Sequence, residues 1–114
     1  MEGKRSSVPE PHYKDSFVEA ALEEFLSIER ALEDEHGLGT AFYDAMQRTV
    51  DGLLQFPEMM RVVHERTRMR RVSVVGFPYN VFYRVEDDFV VIYAVAHQSR
   101  KPLYWVRRLE SGEG

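Results

Sequence analysis

The chain has 114 residues, a formal net charge of −4 and an ordinary globular balance of 44% hydrophobic and 30% charged residues. This length predicts one domain with a core of its own. The absence of cysteine excludes a disulfide framework, a thiolate zinc site and a cysteine nucleophile, and fits a reducing, cytoplasmic setting. No apolar run approaches the ~20 residues that a membrane span requires, so no membrane partner is expected.

The charge is distributed unevenly along the chain. Residues 1–58 carry 13 acidic and 5 basic side chains, whereas residues 59–114 carry 6 acidic and 10 basic ones. The basic second half could attract an acidic partner or nucleic acid. The alternative is that the two halves attract each other across a packed fold.

The first part of the chain predicts a polar leader, a short strand and a helix. Residues 1–11 form the leader, and a strand is expected from His12 to Asp15. Ser16 and Glu19 have the spacing of a capping box, which predicts a helix start there. An apolar stripe follows at helical spacing, and Gly37 is a plausible stop for the helix. The stripe consists of Val18, Ala21, Leu22, Phe25, Ile28 and Leu32.

A second helix is predicted over residues 39–56. Phe42, Met46, Val50 and Leu53 form one apolar stripe, and Pro57 ends the helix. Because the link between the two helices is short, we expect them to pair as an antiparallel hairpin.

Three β-branched and aromatic segments follow, at residues 68–75, 78–85 and 88–96. The breaks between them, at residues 76–78 and 86–88, predict a three-stranded antiparallel meander. The predicted fold class is therefore α+β, with a helix hairpin packed on an antiparallel sheet in the order β-α-α-β-β-β. We expect the domain to span residues 12–108 and residues 109–114 to form a flexible tail.

The usual cofactor and metal signatures are missing from the sequence. The four histidines at positions 12, 36, 64 and 97 have no metal-ligand spacing, and no nucleotide-binding or hydrolase motif occurs. We therefore expect neither a metal nor a cofactor.

The basic and aromatic residues of the second half are the candidate site. Arg66, Arg68 and Arg70 alternate, so they would share one strand face if the first strand of the meander starts that early, and Arg71 would point to the other. Arg84 lies within a predicted strand, and Arg100 follows the last one. These arginines could bind phosphate or carboxylate, or they could simply solvate the sheet.

Three further side chains lie close to Arg100. Tyr104 and Trp105, the only tryptophan, could stack on a base or a partner side chain, or could close the end of a core. His97 could carry a proton, or could be a hydrogen-bonded structural residue.

Several of these segments resemble the RelE/ParE superfamily of toxins from type II toxin–antitoxin modules. The resemblance rests on HGLGTAFYDAMQRTVDGLLQFPE, on FPYNVFYRV, and on AVAHQSRKPLYW, which is similar to the family's ending Ala-Val-x-His-x-x-Arg-x-Pro-x-x-Trp. It covers about residues 18–108. The resemblance implies a helix hairpin on an antiparallel sheet, and a cytoplasmic bacterial toxin that a cognate antitoxin neutralises. Operator DNA would be bound only through the antitoxin complex.

The superfamily's branches imply different activities. RelE-like members cleave mRNA on the ribosome, whereas ParE-like members bind and poison DNA gyrase without being enzymes. Arg71 and Arg100 occupy positions that are basic in the nuclease branch, but Ser73 and Asn80 are neutral where that branch has two further cations. Electrostatic stabilisation is often the largest catalytic contribution, so the neutral pair weakens the nuclease reading.

The leading hypothesis is therefore a ParE-like, plasmid-stabilisation-type toxin whose target is DNA gyrase. Its predicted contact surface consists of Arg71, Arg84, Arg100, Tyr104 and Trp105. In the alternative, a ribosome-dependent mRNA endoribonuclease, Arg71 and Arg100 would bind phosphate and His97 or Tyr104 would transfer protons. The third hypothesis is an inactive homologue that only binds the antitoxin.

Overall fold

The computed structural model describes residues 12–101 and 103–110, so the predicted leader and residues 111–114 lie outside the described residues. Three helices and five strands make up this part of the chain. In chain order they are β1 (Lys14–Phe17), α1 (Glu19–His36), α2 (Gly39–Gln55), β2 (Val62–His64), β3 (Met69–Ser73), β4 (Tyr79–Glu86), β5 (Phe89–His97) and α3 (Val106–Glu110).

The two long helices form the expected hairpin, with one error at its start. Ser16 lies in β1, and α1 begins after an extended Val18 that makes no side-chain capping bond, so the predicted capping box is wrong. The strand runs directly into the helix, which leaves no turn for a serine cap. Gly37 ends α1 as predicted: its φ of 67° is left-handed, and its N–H donates to the Glu33 carbonyl at 3.0 Å.

The five strands form one sheet in the order β1-β5-β4-β3-β2. The predicted meander is confirmed as β3, β4 and β5, whose neighbouring strands run antiparallel. Two features of the sheet differ from the prediction. β1 pairs parallel with β5, from Lys14 opposite Phe89 to Phe17 opposite Ile92, and β2 adds an edge strand next to β3. The sheet is therefore mixed rather than wholly antiparallel.

Most of the apolar residues pack between the helix hairpin and one face of the sheet. The predicted stripe of α2 is buried along its whole length, and Phe42 is fully inaccessible to solvent. The stripe of α1 is buried at Ala21 and Phe25, whereas Leu22 is exposed. The buried members of this hairpin-side core are Ala21, Phe25, Phe42, Ala45, Met46, Val50, Leu53, Val74, Val81, Tyr83, Val90, Ile92 and Val95.

A second, smaller cluster lies on the opposite face of the sheet. Its buried members are Met69, Phe82, Tyr93, Ala94 and Trp105, and Leu109 of α3 packs against them. A bulge between Phe82 and Tyr83 shifts the register of β4 against β5. The C-terminal segment thus covers the sheet face that the hairpin leaves open. α3 continues to Glu110, beyond residue 108.

Candidate partner-binding site at the end of strand β5

The last part of β5 lies at an open edge of the sheet. β1 pairs with β5 only as far as Ile92, and the chain then turns away into α1. The backbone beyond this point needs other partners, because a buried polar group without one is costly. Side chains supply two of them. Glu24 Oε1 accepts the Val95 N–H at 2.9 Å, and Arg108 Nη1 donates to the Tyr93 carbonyl at 2.7 Å.

Glu24, Tyr104 and Arg108 meet at this edge and are referred to below as the Glu24 cluster. Arg108 donates from Nη1 to Oε1 at 3.0 Å and from Nη2 to Oε2 at 2.9 Å, and the Tyr104 hydroxyl donates to Oε2 at 3.0 Å. The side chains of Glu24 and Arg108 are only 17% and 21% exposed. Such a forked, shielded pair has a well-defined geometry. The cluster therefore ties the C-terminal segment to α1.

The charges of the cluster also shift the pKa values of two of its residues, Arg108 and Tyr104. The hydrogen bonds to Glu24 raise the pKa of Arg108 above its ordinary value. Burial, followed by the neighbouring Glu24 charge, raises the pKa of Tyr104 well above its usual 10.0. Tyr104 therefore remains a neutral hydrogen-bond donor at physiological pH, and a role for it as a general base is disfavoured.

Arg100 lies over the ring of Tyr104, with its guanidinium carbon 3.8 Å from the ring centroid. Arg108 approaches the same ring at 5.0 Å. Arg100 is exposed, and within residues 12–101 and 103–110 its side chain forms no ion pair or hydrogen bond. A stacked guanidinium keeps its in-plane N–H donors available. Arg100 therefore presents a positive charge in a defined orientation, and this charge has no ion-pair partner among the described residues.

His97 lies beside Arg100 at the end of β5. Its ring packs edge-on against Tyr79 with centroids 5.3 Å apart. The Ser99 N–H donates to His97 Nδ1 at 3.0 Å, which makes Nδ1 an acceptor and places the proton of the neutral ring on Nε2. The histidine therefore shapes the turn that leads to Arg100.

A groove of about 450 Å³ runs between α1 and this end of β5. Arg100 and His97 lie at one side of it. The opposite side is formed by α1, which contributes both carboxylates and small or apolar side chains. Residues from α1 that line the groove are Ala20, Glu23, Glu24, Ser27 and Ile28, and Tyr79 and Val95 complete it on the sheet side.

Arg71 lies on the sheet face opposite the hairpin, beside a neutral pair. It is exposed and stands opposite Phe82, and two residues further on the Ser73 hydroxyl donates to Asn80 Oδ1 at 3.2 Å. Arg71 makes no side-chain hydrogen bond or ion pair within the described part of the chain. Arg71 on β3 and Arg100 after the end of β5 are thus separate charges on different elements.

The neighbouring arginines do not alternate as expected. Arg66 and Arg68 lie in the turn before β3 rather than in the strand, and Arg68 has a left-handed φ of 61°. Arg70 does point to the face opposite to that of Arg71, where its Nη1 donates to the carbonyls of Glu58 and Met60 at 3.0 and 2.6 Å. The expected row of three arginines on one strand face is therefore wrong.

Arg84 lies away from the other site residues, and its side chain already forms hydrogen bonds within the molecule. It donates to Glu86 Oε2 at 2.8 and 3.0 Å and to the Thr67 carbonyl at 3.2 Å, and it lies 5.5 Å from the Tyr93 ring centroid. Tyr93 donates to the same Glu86 oxygen at 2.6 Å. Arg84 stands opposite Val91, about 16 Å along β4 from the end of the strand that faces the groove.

Trp105 lies inside the molecule rather than on its surface. It is 0% exposed and packs 5.5 Å from Phe82 and 5.6 Å from His64, measured between ring centroids. Its Nε1 has no hydrogen-bond partner among the described residues. The indole therefore anchors the C-terminal segment to the sheet, and the expectation that it lines an exposed contact surface is revised.

The described residues contain no group of three side chains able to hold a metal ion. None of the helices in residues 12–101 and 103–110 is long and apolar enough to cross a membrane. The positions of greatest interest are accordingly the open arginines and the groove between α1 and β5.

A sequence model of the family described as ParE toxin of type II toxin-antitoxin system, parDE, matches residues 16–102. The chain belongs to this family. The match covers the helix hairpin and the sheet, including the segment from His97 to Arg100. The protein is therefore a toxin of a type II system and a member of the RelE/ParE superfamily, as the sequence motifs had indicated.

The fold is also similar to that of a solved relative. A chain of the chromosomal ParDE TA system from P. aeruginosa superposes with a TM-score of 0.66 at 13% sequence identity. The alignment covers 77% of this chain and 98% of the other. At this identity the similarity establishes the fold alone. No curated protein matches the sequence.

Glu24 is the site residue that sequence reasoning missed. An acidic residue on a charged helix is expected to face solvent, whereas Glu24 binds β5 and α3. A signal was present, because Glu24 is spaced three residues from the buried Ala21 and four from Ile28, on the side of the helix that faces the sheet. Its partners, however, are about seventy to eighty residues away, so the pattern alone could not name them.

Proposed function

We propose that this ParE-family toxin stops growth by binding DNA gyrase, without being an enzyme, and that a cognate antitoxin neutralises it. Operator DNA is bound through the toxin–antitoxin complex. The contact surface consists of Arg71, Arg100 and Tyr104, with Arg84 at its far side and Trp105 supporting it from within.

The observation that carries this proposal is the neutral pair of Ser73 and Asn80, which are hydrogen-bonded to each other at 3.2 Å on the open sheet face. RNA cleavage by 2′-hydroxyl attack needs positive charge concentrated around one phosphate. Here the two open cations lie on different elements, Arg71 on β3 opposite Phe82 and Arg100 in the turn after the end of β5. The arrangement suits binding to a surface better than it suits phosphate chemistry.

The test is a supercoiling assay with purified gyrase and purified toxin. Wild-type protein is expected to inhibit supercoiling or to trap a cleavage complex, and Arg100→Ala to weaken this effect strongly. Lys101→Ala is the matched control, because it removes an adjacent exposed charge, whereas it is Arg100 that stacks on Tyr104. No effect of wild-type toxin on gyrase at saturation would refute the gyrase target.

The second candidate is a ribosome-dependent mRNA endoribonuclease. It is favoured by the exposed side chains of His97 and Arg100 at the end of β5. Primer extension on translated message separates it from gyrase binding, since site-specific cuts that vanish in Arg100→Ala would establish cleavage. The third candidate, an inactive homologue that only binds the antitoxin, is refuted by growth arrest when the toxin is expressed alone.

A further inference from the structure

The segment that carries Arg100 has little structure of its own. Residues 98–101 and 103–105 lie in turns or irregular backbone rather than in a helix or strand, and Leu103 has a left-handed φ of 72°. The following helix α3 has only five residues, too few to be stable without tertiary contacts. The Arg100 N–H donates to the His97 carbonyl at 2.9 Å, which holds the backbone, and the orientation of the Arg100 side chain is set by the side chains that anchor this segment.

Two anchors act on this segment. Trp105 is buried against Phe82 and fixes the segment to the sheet. Tyr104 is held by its hydroxyl on Glu24, at 3.0 Å. Arg100 in turn rests on the Tyr104 ring, which is its one recorded side-chain contact within residues 12–101 and 103–110. Glu24 thus holds the Tyr104 ring in place, and the ring in turn orients the Arg100 side chain.

The groove next to Arg100 indicates which partner it fits. Its α1 wall carries the carboxylate of Glu23 close to the apolar Ile28, while the carboxylate of Glu24 is paired with Arg108, which also lines the groove. Among the described residues of the groove, Arg100 is therefore the cation that has no carboxylate partner, and it suits a single carboxylate flanked by apolar side chains better than a continuous row of phosphates. Planar guanidinium donors also match a carboxylate in a two-pronged geometry.

We propose that Arg100 binds a carboxylate side chain of a protein partner, next to the groove between α1 and β5, and that Glu24 is the positioning residue that orients it through Tyr104. The proposal rests on the proposed function in that it places part of the target contact here. It adds the partner's chemistry and a residue on α1, far from Arg100 in sequence.

The positioning role is tested without any target. In wild-type protein the Arg100 side-chain protons are expected to show a ring-current shift in NMR spectra, because the guanidinium lies 3.8 Å from the Tyr104 centroid. Glu24→Gln and Tyr104→Phe are expected to reduce this shift, and Glu23→Gln, on the same helix, is expected to leave it unchanged. Tyr104→Phe serves as the second variant, because it keeps the Glu24–Arg108 pair if Glu24→Gln fails to fold. An undiminished shift in every folded variant would overturn the positioning role.

The functional coupling is tested with a double-mutant cycle in the gyrase assay. Arg100→Ala is expected to weaken inhibition by about thirtyfold, the scale of a broken hydrogen-bonded charge pair at an interface. Tyr104→Phe is expected to weaken it less, and to cause no further loss in the Arg100→Ala background, because both changes act through one contact. Additive losses would indicate a merely structural role and would contradict the coupling.

The nature of the partner group is tested with Arg100→Lys in the same assay. Lysine keeps the positive charge but lacks the two parallel N–H donors of the guanidinium group. A carboxylate partner therefore predicts a loss of inhibition close to that of Arg100→Ala. Full activity of Arg100→Lys, with inhibition that falls steeply as salt rises, would indicate a nucleic-acid phosphate and overturn the carboxylate assignment. If wild-type toxin leaves gyrase unaffected, the proposed target fails, and the cycle and the lysine variant are then measured by growth arrest in cells.

Discussion

The two faces of the sheet are covered by different kinds of contact. On the hairpin side, apolar stripes of α1 and α2 bury a broad core that includes the rings of Phe25, Phe42 and Tyr83. On the opposite side, a short C-terminal segment covers a small cluster around Trp105 and is held at its edge by the charged Glu24 cluster. The first face is stabilised by area removed from water, and the second by a few directional bonds. The comparison indicates that stability lies mainly on the hairpin side, whereas the cover of the opposite face depends on a few contacts.

The largest effect is expected for Phe42→Ala on the hairpin side. Phe42 is 0% exposed and packs against Phe25, Phe77 and Tyr79 at centroid distances between 5.2 and 5.9 Å. Truncation should lower the free energy of unfolding by about 3–5 kcal/mol. Urea titration followed by circular dichroism measures this loss. A loss below about 1 kcal/mol would mean that the hairpin side is not the main source of stability.

A smaller and more local effect is expected for Trp105→Ala on the opposite side. The indole anchors one short segment, so its removal should free residues 103–110 and expose the edge of β5, with a loss of about 3 kcal/mol at most. Hydrogen exchange should become faster at Val95 and in α3, while the amides of α2 keep their protection. Equal loss of protection in α2 would show that the two faces unfold as one unit.

Tyrosine ionisation compares the two faces directly. Burial raises the pKa of both Tyr83, on the hairpin side, and Tyr93, on the opposite side, to about 12, and the bond to Glu86 adds to the shift of Tyr93. The folded protein thus keeps protons that the unfolded chain releases above its usual pKa of 10.0. The contribution of these two tyrosines to stability should therefore be constant below pH 10 and should be lost as the pH rises from about 10 to 12.

Tyrosinate absorbance in Tyr83→Phe and Tyr93→Phe variants assigns each transition. If Tyr93 titrated at its ordinary pKa in the Tyr83→Phe variant, while Tyr83 stayed protonated until about pH 12 in the Tyr93→Phe variant, the C-terminal cover would be open in solution.

The smallest stability effect is expected for Arg71→Ala, with Arg70→Ala as its matched comparison. Arg70 donates to two backbone carbonyls, so its loss should cost about 1–3 kcal/mol. Arg71 is exposed, and its loss should change stability by less than about 0.5 kcal/mol. Thermal unfolding measures both values. Under the proposed function, Arg71→Ala should nevertheless weaken gyrase inhibition, whereas a neutral result in that assay would remove Arg71 from the contact surface.

The hairpin side was largely predictable from the sequence, because local periodicity determines it. The stripe from Phe42 to Leu53 predicted the buried face of α2, and the β-branched runs predicted the meander. The parallel pairing of β1 was not predictable in this way. β1 has only four residues, and their sequence has no regular apolar pattern that would indicate the partner strand. The capping box failed because a spacing match cannot exclude a strand that continues to Phe17.

The sequence predicted several residues of the site, but it did not predict how they are arranged in space. The C-terminal motif correctly drew attention to Arg100 and Tyr104, which the structure brings into contact. It also placed Trp105 on the surface, because an aromatic beside basic residues has the same pattern whether it points outward or inward. Glu24 was overlooked because its bonds join residues 24, 95, 104 and 108, a long-range relation that no local pattern records.

The pairing of β1 with β5 has a consequence for the synthesis of the chain. Lys14 emerges early from the ribosome, but its partner Phe89 emerges late, and Arg108, which binds Glu24, later still. The helix hairpin can form while translation continues. The sheet edge and the Arg100 surface cannot form until Phe89 and Arg108 have been synthesised. Contacts of such long sequence separation also slow folding, because the connecting loop must be closed first. Under the proposed function, a nascent toxin therefore gains its partner-binding surface only after Arg108 has been synthesised.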